Sequence, residues 1–324
     1  MNKKGIVSVV VIISIVVLLA ISYNNSNDIG YQAYITNASS GTVSVIDLTE
    51  KDLVDELKIS ERSSHGIAIT PDGKELFVGD ETNGEVKVID TAYNEVINVI
   101  PAGVGVHGLD ITPDGKYAFI ASSANDEVIV IDIEEQEIIE RMTEGFGSNP
   151  SHIDFTPNSD FALLTNLDDN SLSMISIPQF EVKQTIPVGE GPNESRVAPD
   201  GKRAYVANWE SNTVSVVDLE EFKEIVQIPA GEGTHGVVVS PDSKEVWTAN
   251  RITEDVAVIN AETLQIERYI DAGEYANHLA FTPDGNYVVV TNAREDKVIL
   301  IDAINYQVVA EFEVGEEPHE IAIK

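Results

Sequence analysis

The sequence predicts an all-β protein, a seven-bladed β-propeller in which each blade is a four-stranded antiparallel sheet. Two observations support this prediction. Three sequence markers recur in register about every 42 residues from residue 31 to the end of the chain. The two ends of that region also supply complementary parts of one further blade. A fixed period of this length is typical of repeat architectures such as propellers.

The first marker is a proline in a tight turn. In Pro113-Asp114-Gly115 the proline presets φ and the glycine accepts a positive φ, which is typical of a turn between antiparallel strands. The turn prolines are separated by 42, 44, 42, 42 and 42 residues, at Pro71, Pro113, Pro157, Pro199, Pro241 and Pro283.

The other two markers end apolar strands. One follows the third strand of a unit, at Asp47, Asp90, Asp132, Ser176, Asp218, Asn260 and Asp302. The other is an asparagine that ends the second strand of five units, at Asn37, Asn166, Asn208, Asn250 and Asn292. Because all three markers keep the same spacing, we predict one structural unit repeated along the chain.

The unit that begins at residue 107 shows the predicted blade. Segments 107–112, 117–122, 127–132 and 137–142 are rich in apolar and β-branched residues and are separated by short polar turns. Such residues favour strands, and four short strands per unit are typical of a propeller blade.

The ends of the repeat region predict how the ring closes. Residues 33–59 read as the second, third and fourth strands of a unit, whereas residues 319–324 read as a first strand. Joining them completes the seventh blade and leaves no open sheet edge. We therefore predict a single propeller domain over 31–324, and a monomer.

Residues 1–30 differ from the repeats. Lys3 and Lys4 precede an uncharged apolar run at 6–21, and a polar linker follows. This order indicates an export signal or an N-terminal membrane anchor, with the propeller on the extracytoplasmic side. Cleavage after Ser22 would give a secreted protein, and retention would give a surface protein anchored through 6–21; both alternatives stay open here.

The composition excludes several classes of site. The chain has no cysteine, so it contains no disulfide, no thiolate metal site and no covalently attached c-type haem. Its 20 basic and 55 acidic residues give a formal charge of −35, with the acidic residues spread through the repeats. Such a surface argues against nucleic acid as a partner, because nucleic acid is bound largely by neutralising phosphates.

The strand endings resemble those of the YVTN-type β-propeller repeat family. The resemblance rests on segments such as Tyr34-Ile35-Thr36-Asn37 and Tyr205-Val206-Ala207-Asn208, and it covers 31–324. It implies the propeller fold. It leaves the function open, because the family includes surface-layer proteins, periplasmic propellers and relatives of haem- or quinone-enzyme propellers, and a fold does not determine a function.

All six histidines occupy the start of the first strand of a unit. Ring closure should place them at one mouth of the central channel, where His152 joins His65, His107, His235, His278 and His319. No cofactor is predicted. A transition metal, were one present, would be bound by His107, His152 and His235, because converging imidazoles suit such ions. The alternative is that histidine is a structural residue of the repeat.

Three consecutive units carry charged residues where other units have small or apolar ones. These residues are Asp110, His152, Asp154, Glu194 and Arg196, and a two-residue insertion in 145–150 lies beside them. Buried charges are unfavourable unless they are paired. The cluster is therefore either a structural ion pair or a ligand site.

Three further binding candidates follow the ends of second strands. Trp209, Arg251 and Arg294 lie in loops on the histidine-bearing face. Tryptophan and arginine are frequent binding anchors.

These features lead to three functional hypotheses. The first is a non-catalytic binding or scaffold protein that recognises an extracellular protein, a glycan or a small ligand at the histidine-bearing mouth. The second is an enzyme, either lactonase-like or redox with a non-covalent cofactor or metal, in which Glu194, Arg196 and His235 would be the residues to suspect. The third, single-stranded DNA binding, requires a basic groove, and the acidic charge argues against it.

Overall fold

A computed structural model describes residues 30–62 and 65–324. It contains seven four-stranded antiparallel sheets arranged as the blades of a propeller, which confirms the predicted fold. The export signal or anchor predicted for residues 1–30 lies outside the described residues, apart from Gly30. Within the described part of the chain, no helix has the length and apolar character needed to cross a membrane.

Each blade has an inner strand beside the channel, two middle strands and an outer strand. The inner strands are β4 (Ile67–Ile69), β8 (Val106–Ile111), β12 (Pro150–Phe155), β16 (Pro192–Val197), β20 (Thr234–Val239), β24 (Ala276–Phe281) and β28 (Pro318–Ile323). The second strands are β1 (Gln32–Asn37), β5 (Glu75–Asp80), β9 (Tyr117–Ser122), β13 (Phe161–Asn166), β17 (Arg203–Asn208), β21 (Glu245–Asn250) and β25 (Tyr287–Asn292).

The third strands are β2 (Thr42–Asp47), β6 (Glu85–Asp90), β10 (Glu127–Asp132), β14 (Ser171–Ser176), β18 (Thr213–Asp218), β22 (Asp255–Asn260) and β26 (Lys297–Asp302). The outer strands are β3 (Asp52–Lys58), β7 (Glu95–Pro101), β11 (Glu137–Met142), β15 (Glu181–Pro187), β19 (Lys223–Pro229), β23 (Gln265–Asp271) and β27 (Gln307–Glu313). We number the blades by their inner strands, so that β4 belongs to blade 1 and β28 to blade 7.

The core lies between neighbouring blades. Along β9, Ala118, Phe119 and Ile120 are all fully buried, because both faces of this middle strand are covered by adjacent sheets. The outer strand β11 is largely exposed. Apolar residues therefore run continuously in the middle strands, as expected where both faces of a sheet are buried.

The turn marker works as its residues predict. Gly115 has a φ of 72°, and its N–H donates to the carbonyl oxygen of Thr112 at 2.8 Å. The Thr112 hydroxyl donates to an Asp114 carboxylate oxygen at 2.8 Å. This turn joins β8 to β9 at the end of the blade opposite the histidines.

Ring closure is also as predicted. Strand β28 pairs antiparallel with β1, with Ile323 opposite Ala33, Ala322 opposite Tyr34 and Ile321 opposite Ile35. The first and last strands of the described chain therefore share blade 7, so the ring has no unpaired seam.

Candidate functional site

The six histidines meet inside the channel. Their rings form a connected set in which neighbouring ring centroids lie 3.8–5.4 Å apart. The pairs are His65–His319 (3.8 Å), His278–His319 (4.5 Å), His65–His107 (4.8 Å), His235–His278 (4.8 Å), His107–His152 (5.3 Å) and His152–His278 (5.4 Å). Histidines from six different blades thus form one continuous layer across the mouth.

A β-bulge explains why successive residues of the inner strands reach this layer. The register of β8 against β9 shifts between Val106 and Gly108, at His107, and the same shift occurs in β20 at His235. A bulge re-aims side chains locally. The second and third residues of the inner strands therefore both supply side chains to the channel, as His107 and His152 do.

Three groups form a directional hydrogen-bond relay. His107 Nδ1 lies 3.2 Å from the carbonyl oxygen of Ser151, and His65 Nδ1 lies 3.1 Å from His107 Nε2. A carbonyl oxygen only accepts, so His107 carries its proton on Nδ1 and accepts on Nε2. His65 then donates from Nδ1 and keeps a lone pair on Nε2, because burial lowers the pKa of both histidines and keeps them neutral.

The relay lines a small cleft at the mouth. Its volume is about 40 Å³, and it is bordered by His65, Glu81, Gly105, Val106, His107 and Ser123. A space of this size accommodates water. A neutral imidazole beside such a cleft has the properties of a general base.

Two histidine–carboxyl pairs bridge the channel. His152 Nδ1 on blade 3 lies 3.3 Å from Glu320 Oε1 on blade 7, and His278 Nδ1 on blade 6 lies 3.1 Å from Glu194 Oε2 on blade 4. The Val237 N–H also donates to Glu194 Oε2, at 3.1 Å. These side chains reach across the channel just inside the mouth.

Buried carboxyl groups in this layer differ in protonation. Burial opposes ionisation of Glu194, but the charge of Arg196 and the hydrogen bond from His278 prevail and lower its pKa. Burial, together with the charge on Glu194, raises the pKa of Glu320 well above its usual range. The channel therefore places an ionised carboxylate near a carboxyl group that retains its proton.

The charged residues predicted from three consecutive blades do come together. Arg196 forms a 2.8 Å contact with Glu194 and a 3.7 Å contact with Asp110, while the Val197 N–H donates to Asp154. The Arg196 and Asp110 side chains are 28% and 32% exposed, so this pair faces water in the channel. Burial raises the pKa of Asp110 to about 7, with Arg196 opposing the rise and Asp154 adding to it.

The three predicted loop residues also form one structure, through a residue that the sequence analysis did not identify. The guanidinium carbon of Arg251 lies 5.4 Å from the ring centroid of Trp209 and 4.7 Å from that of Tyr275. Arg294 lies 4.6 Å from the same Tyr275 ring. These distances are in the range of cation–π contacts. Trp209 contacts His235 with 6.0 Å between centroids, which joins this stack to the histidine layer.

Arg251 is anchored beneath its aromatic neighbours. Its Nε donates to Asn277 Oδ1 at 2.7 Å, and burial lowers its pKa to about 10. Arg294 is exposed at the rim. The mouth therefore carries two guanidinium groups in an otherwise acidic protein, which suits an anionic ligand.

Sequence reasoning missed Glu320 and Tyr275. Glu320 is the third residue of its inner strand, the position of His152, Glu194 and His278. No turn proline follows it, because the second strand of blade 7 is β1. Alignment of the units by their histidines, rather than by their turn prolines, would have located Glu320. Tyr275 lies outside the three strand and turn markers, at a position where three other blades have glycine and two have Asn149 and Glu317.

Larger spaces lie at the other end of the blades. One groove of about 530 Å³ lies between the turns of neighbouring blades, and its lining includes Pro71, Asp114, Gly115 and Gln136. None of the histidines borders it. The histidines and the buried carboxyl groups lie toward the opposite mouth.

Solved structures share this fold at low sequence identity. A functionally unknown protein from Desulfotomaculum acetoxidans matches with a TM-score of 0.80 and 17% identity, over 90% of this chain and 98% of that chain. A putative 6-phosphogluconolactonase from Bacteroides uniformis matches with a TM-score of 0.75 and 15% identity, over 91% of this chain and 100% of that chain. Dihydro-heme d1 dehydrogenase NirN, in complex with DHE, matches with a TM-score of 0.66 and 15% identity, over 90% of this chain and 74% of that chain.

The sequence itself matches a family described as "Lactonase, 7-bladed beta-propeller" over residues 29–305. No curated protein matches the chain. The expectation of a non-catalytic binding or scaffold protein is therefore wrong, because the matching family is named for an enzyme and the mouth concentrates neutral imidazoles and buried carboxyl groups, which are typical of functional sites. The family match spans most of the sequence, and the chain accordingly belongs to the lactonase family of seven-bladed β-propellers.

Proposed function

We propose that this protein is an enzyme that hydrolyses a small lactone bearing an anionic group, at the histidine-bearing mouth of the channel. The observation that carries the proposal is the relay from the Ser151 carbonyl through His107 to His65, which leaves a neutral imidazole lone pair beside a water-sized cleft. The family match and the likeness to a putative 6-phosphogluconolactonase support the lactone as substrate class.

In the proposed reaction, His65 Nε2 removes a proton from water as the water oxygen attacks the lactone carbonyl carbon. The ring C–O bond then breaks, and the proton on His65 passes to the departing alkoxide, so that the product is a hydroxy acid. His107 accepts the hydrogen bond from His65 Nδ1 and disperses the positive charge that His65 acquires.

The two mouth arginines would bind the substrate. Arg251 lies near enough to His65 for its charge to contribute to lowering the pKa of that histidine, and Arg294 shares the Tyr275 ring with it. Guanidinium groups bind carboxylate and phosphate through paired N–H donors. The substrate's anionic group would lie against these arginines while its ring reaches the cleft.

The test is acid release from phosphorylated and unphosphorylated sugar lactones, followed with a pH indicator. His65→Gln should lower kcat by roughly 10²- to 10⁴-fold, and Arg251→Met should raise KM for the phosphorylated lactone more than for the unphosphorylated one. Gln136→Ala, in the groove at the opposite end, should change neither constant. Unchanged kcat in His65→Gln would contradict the proposed base.

A redox enzyme with a non-covalent cofactor is a second candidate. It is favoured by buried imidazole nitrogens without hydrogen-bond partners, on His152, His278 and His319, and by the likeness to a haem d1-related dehydrogenase. A visible absorption spectrum of the purified protein tests this candidate. Reconstitution with haem that produces no His-dependent band would count against it.

The setting of this activity remains part of the proposal. The apolar run at 6–21 supports an extracytoplasmic enzyme, secreted or anchored, and the closed ring supports a monomer. The strand endings support a place among YVTN-type members. Fractionation of cells and light scattering of the purified protein test the location and the oligomeric state.

A further inference from the structure

Inside the mouth, three buried side chains from three different blades converge. His152, His278 and Glu320 each offer one ligand atom, and these atoms lie within 4.8 Å of one another. Their residues are only 3%, 3% and 6% exposed. Ligand atoms around one tetrahedral ion lie about 3.4 Å apart, so modest rotation of the side chains would bring the three atoms to a common ion.

Two buried imidazole nitrogens of this group have no hydrogen-bond partner, His152 Nε2 and His278 Nε2. Glu320 Oε1 has the 3.3 Å contact with His152 Nδ1 described above. Leaving a buried polar atom unsatisfied costs roughly 1–3 kcal/mol, and buried polar atoms are satisfied in most proteins. Two such nitrogens beside one carboxyl group therefore point to a bound group that satisfies them together.

His278 is hydrogen-bonded in the way expected of a histidine that binds a metal ion. His278 Nδ1 contacts Glu194 Oε2 at 3.1 Å, and Glu194 is held in turn by Arg196 at 2.8 Å. A carboxylate that accepts the Nδ1 proton leaves the Nε2 lone pair available and fixes the orientation of the ring.

From these contacts we infer that the channel binds one divalent transition-metal ion through His152, His278 and Glu320, with Glu194 as a positioning residue for His278. Two imidazole nitrogens and one carboxylate oxygen form a ligand set suited to Zn²⁺ and Fe²⁺, and three protein ligands leave a position for water. The ligand set differs from the His107, His152 and His235 set suggested by the sequence. The inference goes beyond the proposed hydrolase activity and is tested without any lactone.

The experiment titrates Zn²⁺ and Co²⁺ into tag-free, full-length protein after chelator treatment, with calorimetry, elemental analysis and visible absorption as readouts. One ion should bind per chain, and Co²⁺ should give a ligand-field band. Mg²⁺ and Ca²⁺ should not compete, because they prefer all-oxygen sites. His278→Gln and Glu320→Gln should each weaken Zn²⁺ binding by about 100-fold or more, since each removes a direct ligand.

Two further variants make the assignment specific. Glu194→Gln should keep the stoichiometry, weaken binding roughly 10- to 100-fold and shift the Co²⁺ band, because it alters only the partner of a ligand. Gln136→Ala, in the groove at the opposite end of the blades, should bind Zn²⁺ like the parent protein. The inference is overturned if the parent protein binds no ion, if both ligand variants bind it as tightly as the parent does, or if Gln136→Ala weakens binding as much as the ligand variants do. If a variant does not fold, the Co²⁺ spectrum of the parent protein still shows whether the protein binds an ion.

Discussion

Tyr275 occupies a backbone position that favours glycine. Its φ is 65°, and three equivalent positions in other blades are Gly105, Gly191 and Gly233, all with positive φ. A bulky residue in this region costs about 1 kcal/mol or more. The strain coincides with the contacts of Tyr275 to two arginines, which is consistent with a role in binding.

We expect Tyr275→Gly to separate stability from binding. Relief of the backbone strain should offset the lost packing, so the free energy of unfolding should change by less than about 1 kcal/mol. KM for an anionic lactone should rise roughly tenfold, because two cation–π contacts no longer orient the arginines. Urea unfolding and steady-state kinetics measure the two effects.

The matched control is Tyr306→Gly. Tyr306 also has a positive φ, of 58°, and Arg268 stacks on its ring at 3.5 Å, but it lies in the loop between β26 and β27. This variant should leave KM unchanged. Equal changes in KM for the two variants would contradict a specific role for Tyr275.

Asp110 should make stability depend on pH. Burial raises its pKa from 3.8 to about 7 in the folded state, so the folded state binds the Asp110 proton more tightly than the unfolded state does. This contribution to stability is present at low pH and is lost as pH rises from about 4 to 7. Asp110→Asn removes the titrating carboxyl group, so the variant does not lose this stability as pH rises. Its stabilisation relative to the parent should grow over this range and then level off, as measured by thermal melting at several pH values; a constant difference would argue against the raised pKa.

At the scale of the element, the inner strand is the part of each blade that positions the site residues. The sequence predicted 117–122, 127–132 and 137–142 with the bounds of β9, β10 and β11, because their apolar and β-branched residues and the turns between them are local signals. The bulge in β8 was not predicted. It depends on how β8 fits against β9 and the neighbouring blade, which leaves no mark in the local residue pattern.

Gly108 shows how tightly the inner strands approach one another. A Cβ at this position would meet the carbonyl oxygen of Ser151 and lie 2.9 Å from Cα of His152. Gly108→Ala should therefore cost about 2–3 kcal/mol by overpacking, and it should also lower kcat by displacing the Ser151 acceptor of the relay. Chemical unfolding and lactone kinetics measure these effects.

Gly115→Asn provides the comparison for Gly108→Ala. Gly115 has a φ of 72° in the turn at the opposite end, and its Cβ would lie 3.3 Å from Pro71. Asparagine tolerates positive φ, so this variant should lose little stability and keep kcat. A larger loss for Gly115→Asn than for Gly108→Ala would refute the packing argument.

At the scale of the whole molecule, closure connects stability to the site. Strand β28 pairs with β1 and carries both His319 and Glu320. Deletion of residues 318–324 should expose the β1 edge and remove part of the histidine layer. We expect aggregation or a broad, less cooperative melting transition, measured by circular dichroism and light scattering. A truncated protein that melts like the intact chain would show that the seam is dispensable.

The wrong functional expectation also has its cause at this scale. The sequence contains no contiguous catalytic motif, which led to the expectation of a binding protein. In this fold the chemical groups come from different blades, as His65, His107 and Ser151 do. The absence of a short motif therefore does not argue against an enzyme whose site is assembled by ring closure.

The sequence by itself determined the number of blades, their strand order, the closure and the placement of every histidine on, or just before, an inner strand. These properties follow from a local period, since each unit must bury its own strands against its neighbours. Only the tertiary structure decided which side chains meet across the axis, such as His152 with Glu320 and His278 with Glu194. Those contacts depend on the width of the channel, the bulges and the side-chain rotamers of non-adjacent blades, and no local sequence pattern encodes the combined geometry of seven blades.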